Sequence, residues 1–455
     1  MSHCCLCGLL CSLDGAATES AKLQSENLAT LIRIPTVQDC HRRNQWLACS
    51  SERNAVDRFA KADNGVSDNL SAQVATLAAL FKPAHRALLW IDGADVNTTR
   101  SVVSLAQAIR GTVHIGQSSG AAAAHRVLAN QGWVGSSLAE VASHADLIIT
   151  LGGGLRSEAP LLAQRFFKPA LAGGRAEWFH IDAHRDAYLP PASGAHTDEN
   201  QPNYTAVWPR EMWYKQLTHI LLALQPESQP ESQPEAQLGA RQGATKDESV
   251  AALVSKLQRA KNTVWLWDAE EFHDAVDELC ISRLLAISRL LMLSARCSLL
   301  GLDAQVGRVT AQETLLWLTG CSGTADFDGQ RWSQPQSLDH NTLEEWQHVF
   351  DSILVVRSVP SPHPLPNLTA GHFLVAEQSL LPDRVATSRL TRVATVGIDC
   401  DGHLMRGDRA TMMYCAASES ASLQDKQAQS RLPTAAALLD QVRDQLQSGA
   451  TTNAN

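Results

Sequence analysis

Short apolar runs that stop at Gly, Asp or a polar turn alternate along this chain with longer amphipathic stretches, and that alternation leaves few folds open to it. Runs at 87–91, 112–115, 147–151 and 178–181 have strand length, and helical spacing fills 98–109, 121–131 and 137–144 between them. Strands separated by helical crossovers pair in parallel, because a tight turn cannot return the chain to the same end of a sheet. The pattern resumes with a helix at 249–259, a strand at 263–267 and an apolar helix at 277–293. Further strands are predicted at 353–356, 373–376 and 392–398, and a last helix at 435–446. The predicted class is α/β and multi-domain, with parallel-sheet domains carrying helices on both faces.

At 455 residues the chain exceeds one core of roughly 150 residues. Its organisation reads as a Cys-rich lobe over 1–50, an α/β domain over 51–224, a second α/β region over 249–422 and a helix with a polar tail over 423–455. Between them, 225–248 opens with Gln-Pro-Glu-Ser twice and a near-copy over 225–236 and is too polar throughout to bury a core, so it reads as a linker. A net charge of −9 argues against nucleic acid as a partner. No stretch approaches the roughly 20 apolar residues of a membrane span, and no secretory leader is evident, so the expected compartment is the cytoplasm.

Eleven cysteines in such a chain favour reduced thiols or metal ligands over a disulfide framework. Cys4, Cys7 and Cys11, with an extra Cys5, carry the spacing of three cluster corners, and Cys40 or Cys49 can supply a fourth. Cys280, Cys297, Cys321, Cys400 and Cys415 are scattered and read as small buried hydrophobes.

Three further segments carry candidate chemistry. Gly152, Gly153 and Gly154 follow the run 147–151, where backbone N–H groups could meet a phosphate; a tight strand-to-helix turn is the better explanation of them. Gln117, Ser118, Ser119 and Gly120 hold the equivalent place after 112–115, at the carboxyl end where such sheets bind ligands. His180, Asp182 and His184 alternate on one strand face in a metal-like triplet, although strand ends are commonly polar without a metal.

Several blocks in order resemble the B-type chain of formylmethanofuran dehydrogenase, a relative of the molybdopterin oxidoreductases. They are Cys4-Cys5-Leu6-Cys7-Gly8-Leu9-Leu10-Cys11, the block from Trp90 to Gly152, Leu315-Leu316-Trp317-Leu318-Thr319-Gly320, Val396-Gly397-Ile398-Asp399, and Gly402-His403-Leu404-Met405-Arg406-Gly407-Asp408. The resemblance implies the molybdopterin oxidoreductase fold, a [4Fe–4S] cluster on Cys4, Cys7, Cys11 and Cys40, and a tungsten or molybdenum pterin that interconverts carbon dioxide and formate. It also implies partners: an amidohydrolase-like A-type chain, a C-type chain and, in the bacterial formyltransferase/hydrolase complex, a formyltransferase of D type. That bacterial assembly moves a formyl group from tetrahydromethanopterin to a methanofuran-type carrier and releases formate without redox chemistry.

One departure separates the two activities. A redox-active relative needs a cysteine or selenocysteine just after the strand ending at Ile115, since a soft thiolate suits a heavy metal. Here no cysteine occurs between Cys49 and Cys280, and Ala121 to Ala124 follow Gly120. The segment Gly301 to Gly307 also replaces a glycine-richer pterin contact. The expectation is therefore a scaffold component of a formyltransferase/hydrolase complex, its own centre lost, with Gln117, Ser118, Ser119 and Gly120 as a vestigial pocket and no pterin. The competing expectations are an active metal-pterin component and a nucleotide site at Gly152 to Gly154.

Overall fold

In the computed structural model the described residues are 70–82, 84–116, 119–155, 159, 161–183, 202–225, 247–272, 275–335, 346–361, 365, 371–376, 389–417 and 432–452. Cys4, Cys7, Cys11, Cys40, Gln117, Ser118, Arg156, His184 and the core of the repeat tract lie outside them. In chain order the first half holds α1 (Leu70–Phe81), β1 (Ala87–Gly93), α2 (Val96–Ile109), β2 (Thr112–Ile115), α3 (Ser119–Gln131), α4 (Leu138–His144) and β3 (Leu147–Leu151). A π-helical turn (Ala163–Phe167) leads into α5 (Lys168–Leu171), β4 (Glu177–Asp182), β5 (Tyr204–Val207), α6 (Trp213–Leu224), α7 (Glu248–Arg259) and β6 (Asn262–Asp268). There follow α8 (Ala275–Leu291), β7 (Arg296–Leu302), α9 (Val306–Thr319), β8 (Thr324–Phe327), β9 (Trp332–Ser333) and β10 (Ser352–Arg357). The last are β11 (His372–Ala376), β12 (Leu390–Val393), β13 (Gly402–Met405), β14 (Met412–Cys415) and α10 (Ala435–Thr452).

The chain folds as two compact units, residues 1–117 with 305–455 and residues 118–304. This grouping differs from the sequential one expected over 51–224 and 249–422. β3 and β6, which flank the repeat tract in sequence, are neighbours in one sheet, so both sides of the tract belong to a single unit. Composition marks where a chain is polar; it does not reveal which later strand returns to pair with an earlier one.

The first unit is built on a seven-stranded sheet of order β12-β11-β10-β1-β2-β8-β9. The pairings from β12 through β2 are parallel, and β8 and β9 add antiparallel strands at the edge. β1 sits inside and is buried throughout, which is why its apolar run is unbroken instead of alternating. Ala87, Leu89 and Ile91 join a core with residues of α1, α2, α9 and α10, while Leu88 and Trp90 face Trp346, Phe350, Ile353 and Val355. Asp95 starts α2 by accepting the N–H groups of Asn97 and Thr98, each at 3.2 Å, which satisfies donors that the helix cannot.

Two buried polar features interrupt this core. Arg357 is fully buried and pairs with Asp92 through Nε at 2.8 Å and through Nη2, while Arg308 Nη2 reaches the other Asp92 oxygen at 2.7 Å. Burial pulls the Arg357 pKa down, and the Asp92 charge opposes that pull. His114 lies against the rings of Trp90 and Trp346, at centroid distances of 4.5 and 4.4 Å, with Nδ1 2.7 Å from Thr324 Oγ1. Burial drives its pKa from 6.5 to about 3, so the imidazole is neutral at physiological pH.

The second unit carries a five-stranded sheet of order β5-β4-β3-β6-β7, parallel at each pairing. Leu147, Ile149 and Leu151 of β3 enter a core completed by α3, α6, α7 and α8. The opposite face of β4 receives the π-helical turn, where the Phe167 ring packs edge-on to Trp178 at 4.9 Å. Helices on both faces of a parallel sheet match the predicted α/β class. Ser137 and Glu140 close a capping box at the start of α4, with Glu140 N 3.1 Å from Ser137 Oγ and Ser137 N 2.9 Å from Glu140 Oε2.

Most predicted elements stand within two or three residues of the observed ones, but the last helix runs on to Thr452, and α1, α5, α6, α9, β5, β7, β8, β9, β13 and β14 are not among the predicted elements. The strand predicted at 392–398 ends at Val393. A turn follows in which Thr395 N–H donates to Asp399 Oδ2 at 2.9 Å and Gly397 has φ +78°, a backbone that cannot continue a strand. β7 falls outside the predicted strands, because the preceding helix runs almost directly into it and its polar Arg296 and Ser298 mask the apolar pattern.

Two outcomes test this packing. Arg357→Met leaves a buried carboxylate short of its main partner and is expected to cost about 3–5 kcal/mol in denaturant unfolding. His114 binds no proton in the folded chain until about pH 3, whereas the unfolded chain takes one up near 6.5. Its contribution is thus complete above pH 6.5 and lost as pH falls toward about 3. His114→Gln should flatten the pH dependence of stability in that window, as followed by urea titrations at several pH values.

Candidate functional site

Numbered within its own unit, the five-stranded sheet has the order 3-2-1-4-5, so the order in which successive strands are added reverses across the parallel β3–β6 pair. In parallel α/β sheets the crevice beyond the carboxyl ends at such a reversal is the usual ligand position. β3 runs there into Gly152, Gly153 and Gly154, and β6 runs into Asp268 and the 3₁₀ turn Ala269–Glu271.

The two segments are interlocked. Gly152 has φ +83°, a conformation glycine adopts without strain, and its N–H donates to Ile181 O at 2.8 Å. A Cβ there would stand 2.6 Å from Glu271 Oε2, and a Cβ on Gly154 would stand 2.6 Å from Asp268 Oδ2. Gly154 N–H donates to Glu271 Oε2 at 3.1 Å. The turn thus presents a backbone donor to an anion, and the anion is a side chain of this unit. By contrast, nothing lies within 4 Å of a Cβ placed on Gly153.

The 3₁₀ turn is held from two sides. Arg210, just beyond β5, donates through Nη2 to the Glu271 carbonyl and to Asp277 Oδ2 at 2.8 Å, with its guanidinium over the Trp213 ring. Asp268 Oδ1 accepts the Glu270 N–H at 2.9 Å and starts the turn. From the other side comes the amino end of α3. A Cβ on Gly120 would fall far inside contact with the carbonyl oxygens of Ala269 and Phe272, and 3.0 Å from the Phe272 carbonyl carbon. Ala123 and Ala124 continue from Gly120 into the core of the unit.

Of the residues selected from sequence, Gly120, Gly152 and Gly154 are therefore brought together by the Asp268–Phe272 segment. Gly153 lies on the same turn with open space around it, and Ser119 opens α3. Gln117 and Ser118, like the four candidate cluster cysteines, are outside the described residues. His180 and Asp182 do share a face of β4, with Nε2 3.5 Å from Asp182 Oδ2 and both side chains buried. His180 Nδ1 lies 2.8 Å from Thr150 Oγ1, which also accepts the Trp178 indole N–H at 2.8 Å. Among the described residues no group of three or more His, Cys, Asp or Glu side chains is arranged to hold a metal.

Asp268, Glu271, Arg210 and Asp277 are not among the residues that sequence reasoning selects. The signal available for the first two is a run of acids, Asp268-Ala269-Glu270-Glu271, directly after an apolar strand. Gly301 and Gly307, expected in a pterin-contact segment, have packing roles within their own units. Gly301 lies against the Trp267 indole, with 3.1 Å for an added Cβ, and Gly307 against Gly93, with 3.0 Å. Cys297 and Cys400 are poor nucleophiles: burial pushes their thiols up to about 11 and about 12, the second helped by nearby Asp95, Asp399 and Asp401.

The unequal surroundings of the glycines give a paired test. Gly120→Ala must displace backbone, an overpacking cost of about 1–3 kcal/mol or more, whereas Gly153→Ala should stay within about 0.5 kcal/mol of the unsubstituted chain. Equilibrium denaturation of the two variants distinguishes these outcomes.

No protein-family model matches the chain, and no curated protein matches it in sequence. A similar fold occurs in a solved structure, the X-ray crystal structure of the formyltransferase/hydrolase complex (FhcABCD) from Methylorubrum extorquens in complex with methylofuran. The match has a TM-score of 0.65 at 21% identity and covers 85% of this chain and 98% of the matched chain. No helix among the described residues is long and apolar enough to cross a membrane. This chain therefore shares the fold of a component of that multi-subunit assembly.

Proposed function

We propose that this protein is the B-type component of a formyltransferase/hydrolase complex in one-carbon metabolism linked to tetrahydromethanopterin and a methanofuran-type carrier. The observation that carries the reading is the fold shared across 98% of a chain from the FhcABCD complex. The order of the sequence blocks from Cys4 to Asp408 supports it independently of that fold. The partners are an amidohydrolase-like A-type chain, a C-type chain and a formyltransferase of D type, and the complex works in the cytoplasm.

In this reading the chain is a scaffold. The complex moves a formyl group from the pterin carrier to an amine, and water then cleaves the resulting amide to formate and free amine. Carbon stays at the oxidation level of formate, so the reaction calls for no electron acceptor. Support comes from the absence of cysteine between Cys49 and Cys280, which removes the thiolate that a redox relative places on its metal and leaves only Ser118 or Ser119 as a substitute ligand there. Further support is the burial of Ala121, Ala123 and Ala124, in a stretch where a redox relative carries polar groups around its metal. Cys4, Cys7, Cys11 and Cys40 would hold a [4Fe–4S] cluster in a structural role.

Co-expression of the tagged chain with its three partners should yield one complex that hydrolyses formylated carrier, and failure to co-purify would overturn the assignment. Within the assembled complex, replacing Ser118 and Ser119 together by alanine should change hydrolysis by less than about tenfold, roughly 1.4 kcal/mol in the barrier. A larger loss without loss of assembly would place these serines in the chemistry.

A further inference from the structure

We infer that Glu271 is a built-in anion that closes the glycine turn of the second unit to pyrophosphate-bearing cofactors, including any pyrophosphate-bearing form of the pterin implied by the family resemblance. This stands on the geometry of that unit alone and is independent of the complex the chain serves.

A pyrophosphate bound at Gly152–Gly154 would need two things from the turn: a free backbone N–H and open space for backbone approach. Glu271 takes both. Its Oε2 accepts the Gly154 N–H at 3.1 Å, and its side chain fills the position that a Cβ on Gly152 would occupy. A phosphate entering beside this carboxylate would also meet a like charge, so repulsion adds to the lost hydrogen bond. The backbone that carries the plug is also held. Arg210 ties the Glu271 carbonyl to Asp277, and Gly120 packs against the carbonyls of Ala269 and Phe272, at the start of the 3₁₀ turn and just after it. Moving Glu271 aside by a backbone shift would break both contacts, so the residues present do not fit a bound pyrophosphate.

The test uses the full-length chain and inorganic pyrophosphate, with binding followed by calorimetry. Glu271→Ala removes the charge and opens the space, and is expected to bind pyrophosphate at least about tenfold more tightly than the unsubstituted chain. Should that variant fail to fold, Glu271→Gln keeps the shape, loses the charge and should bind more tightly than the unsubstituted chain by a smaller factor. Equal affinities, including no measurable binding by either chain, overturn the inference. Hydrogen exchange in the unsubstituted chain provides a readout that needs no variant. The peptide containing Gly154 should be protected, and pyrophosphate should leave its exchange unchanged. Rapid exchange there, or protection that appears only with pyrophosphate, would show that Glu271 does not cap the turn.

Discussion

The close approach of Gly120 to the carbonyls of Ala269 and Phe272 is the contact on which the carboxyl end of the five-stranded sheet depends. Because residue 120 has no Cβ, α3 can lie directly on the connection between β6 and α8. That connection is then positioned so that Glu271 reaches the turn after β3 and Asp268 lies beside Gly154. Arg210 completes the arrangement from beyond β5 by joining the Glu271 carbonyl to Asp277. Four segments thus converge, and three of the contacts between them involve backbone groups, whose geometry tolerates little change.

Much of the fold is legible in the sequence because local physics decides it. β3 is bounded by a capping-box helix on one side and glycines on the other, and that punctuation is enough to place its limits. The carboxyl-end position of Gly120, Gly152 and Gly154 follows from parallel-sheet logic. Their common neighbour does not. The Gly154–Glu271 hydrogen bond spans 117 residues, and nothing local in Asp268-Ala269-Glu270-Glu271 names its partner. The same limit hides the pairing of β3 with β6 across the repeat tract, and with it the division into units. Arg357 is concealed differently: an arginine after an apolar strand ordinarily marks a surface, yet here Asp92 and burial of both groups make it part of the core.

These features bear on function in one direction. A fold shared with a component of a formyltransferase/hydrolase complex and a sequence without a soft ligand after β2 support the proposed scaffold role. The carboxylate seated in the glycine turn supports it from a separate part of the chain. A redox component needs a metal, a pterin to hold it and a thiolate or equivalent to complete its coordination. The proposed scaffold keeps the α/β framework, with Ala121, Ala123 and Ala124 buried in α3 and Glu271 seated in the glycine turn.

The central claim is that this chain contributes structure and no redox centre. Elemental analysis of the intact purified complex by mass spectrometry, combined with fluorescence detection of oxidised pterin, addresses it most directly. Iron at most is expected, with molybdenum, tungsten and pterin far below one per chain. Stoichiometric tungsten or molybdenum accompanied by pterin would contradict it.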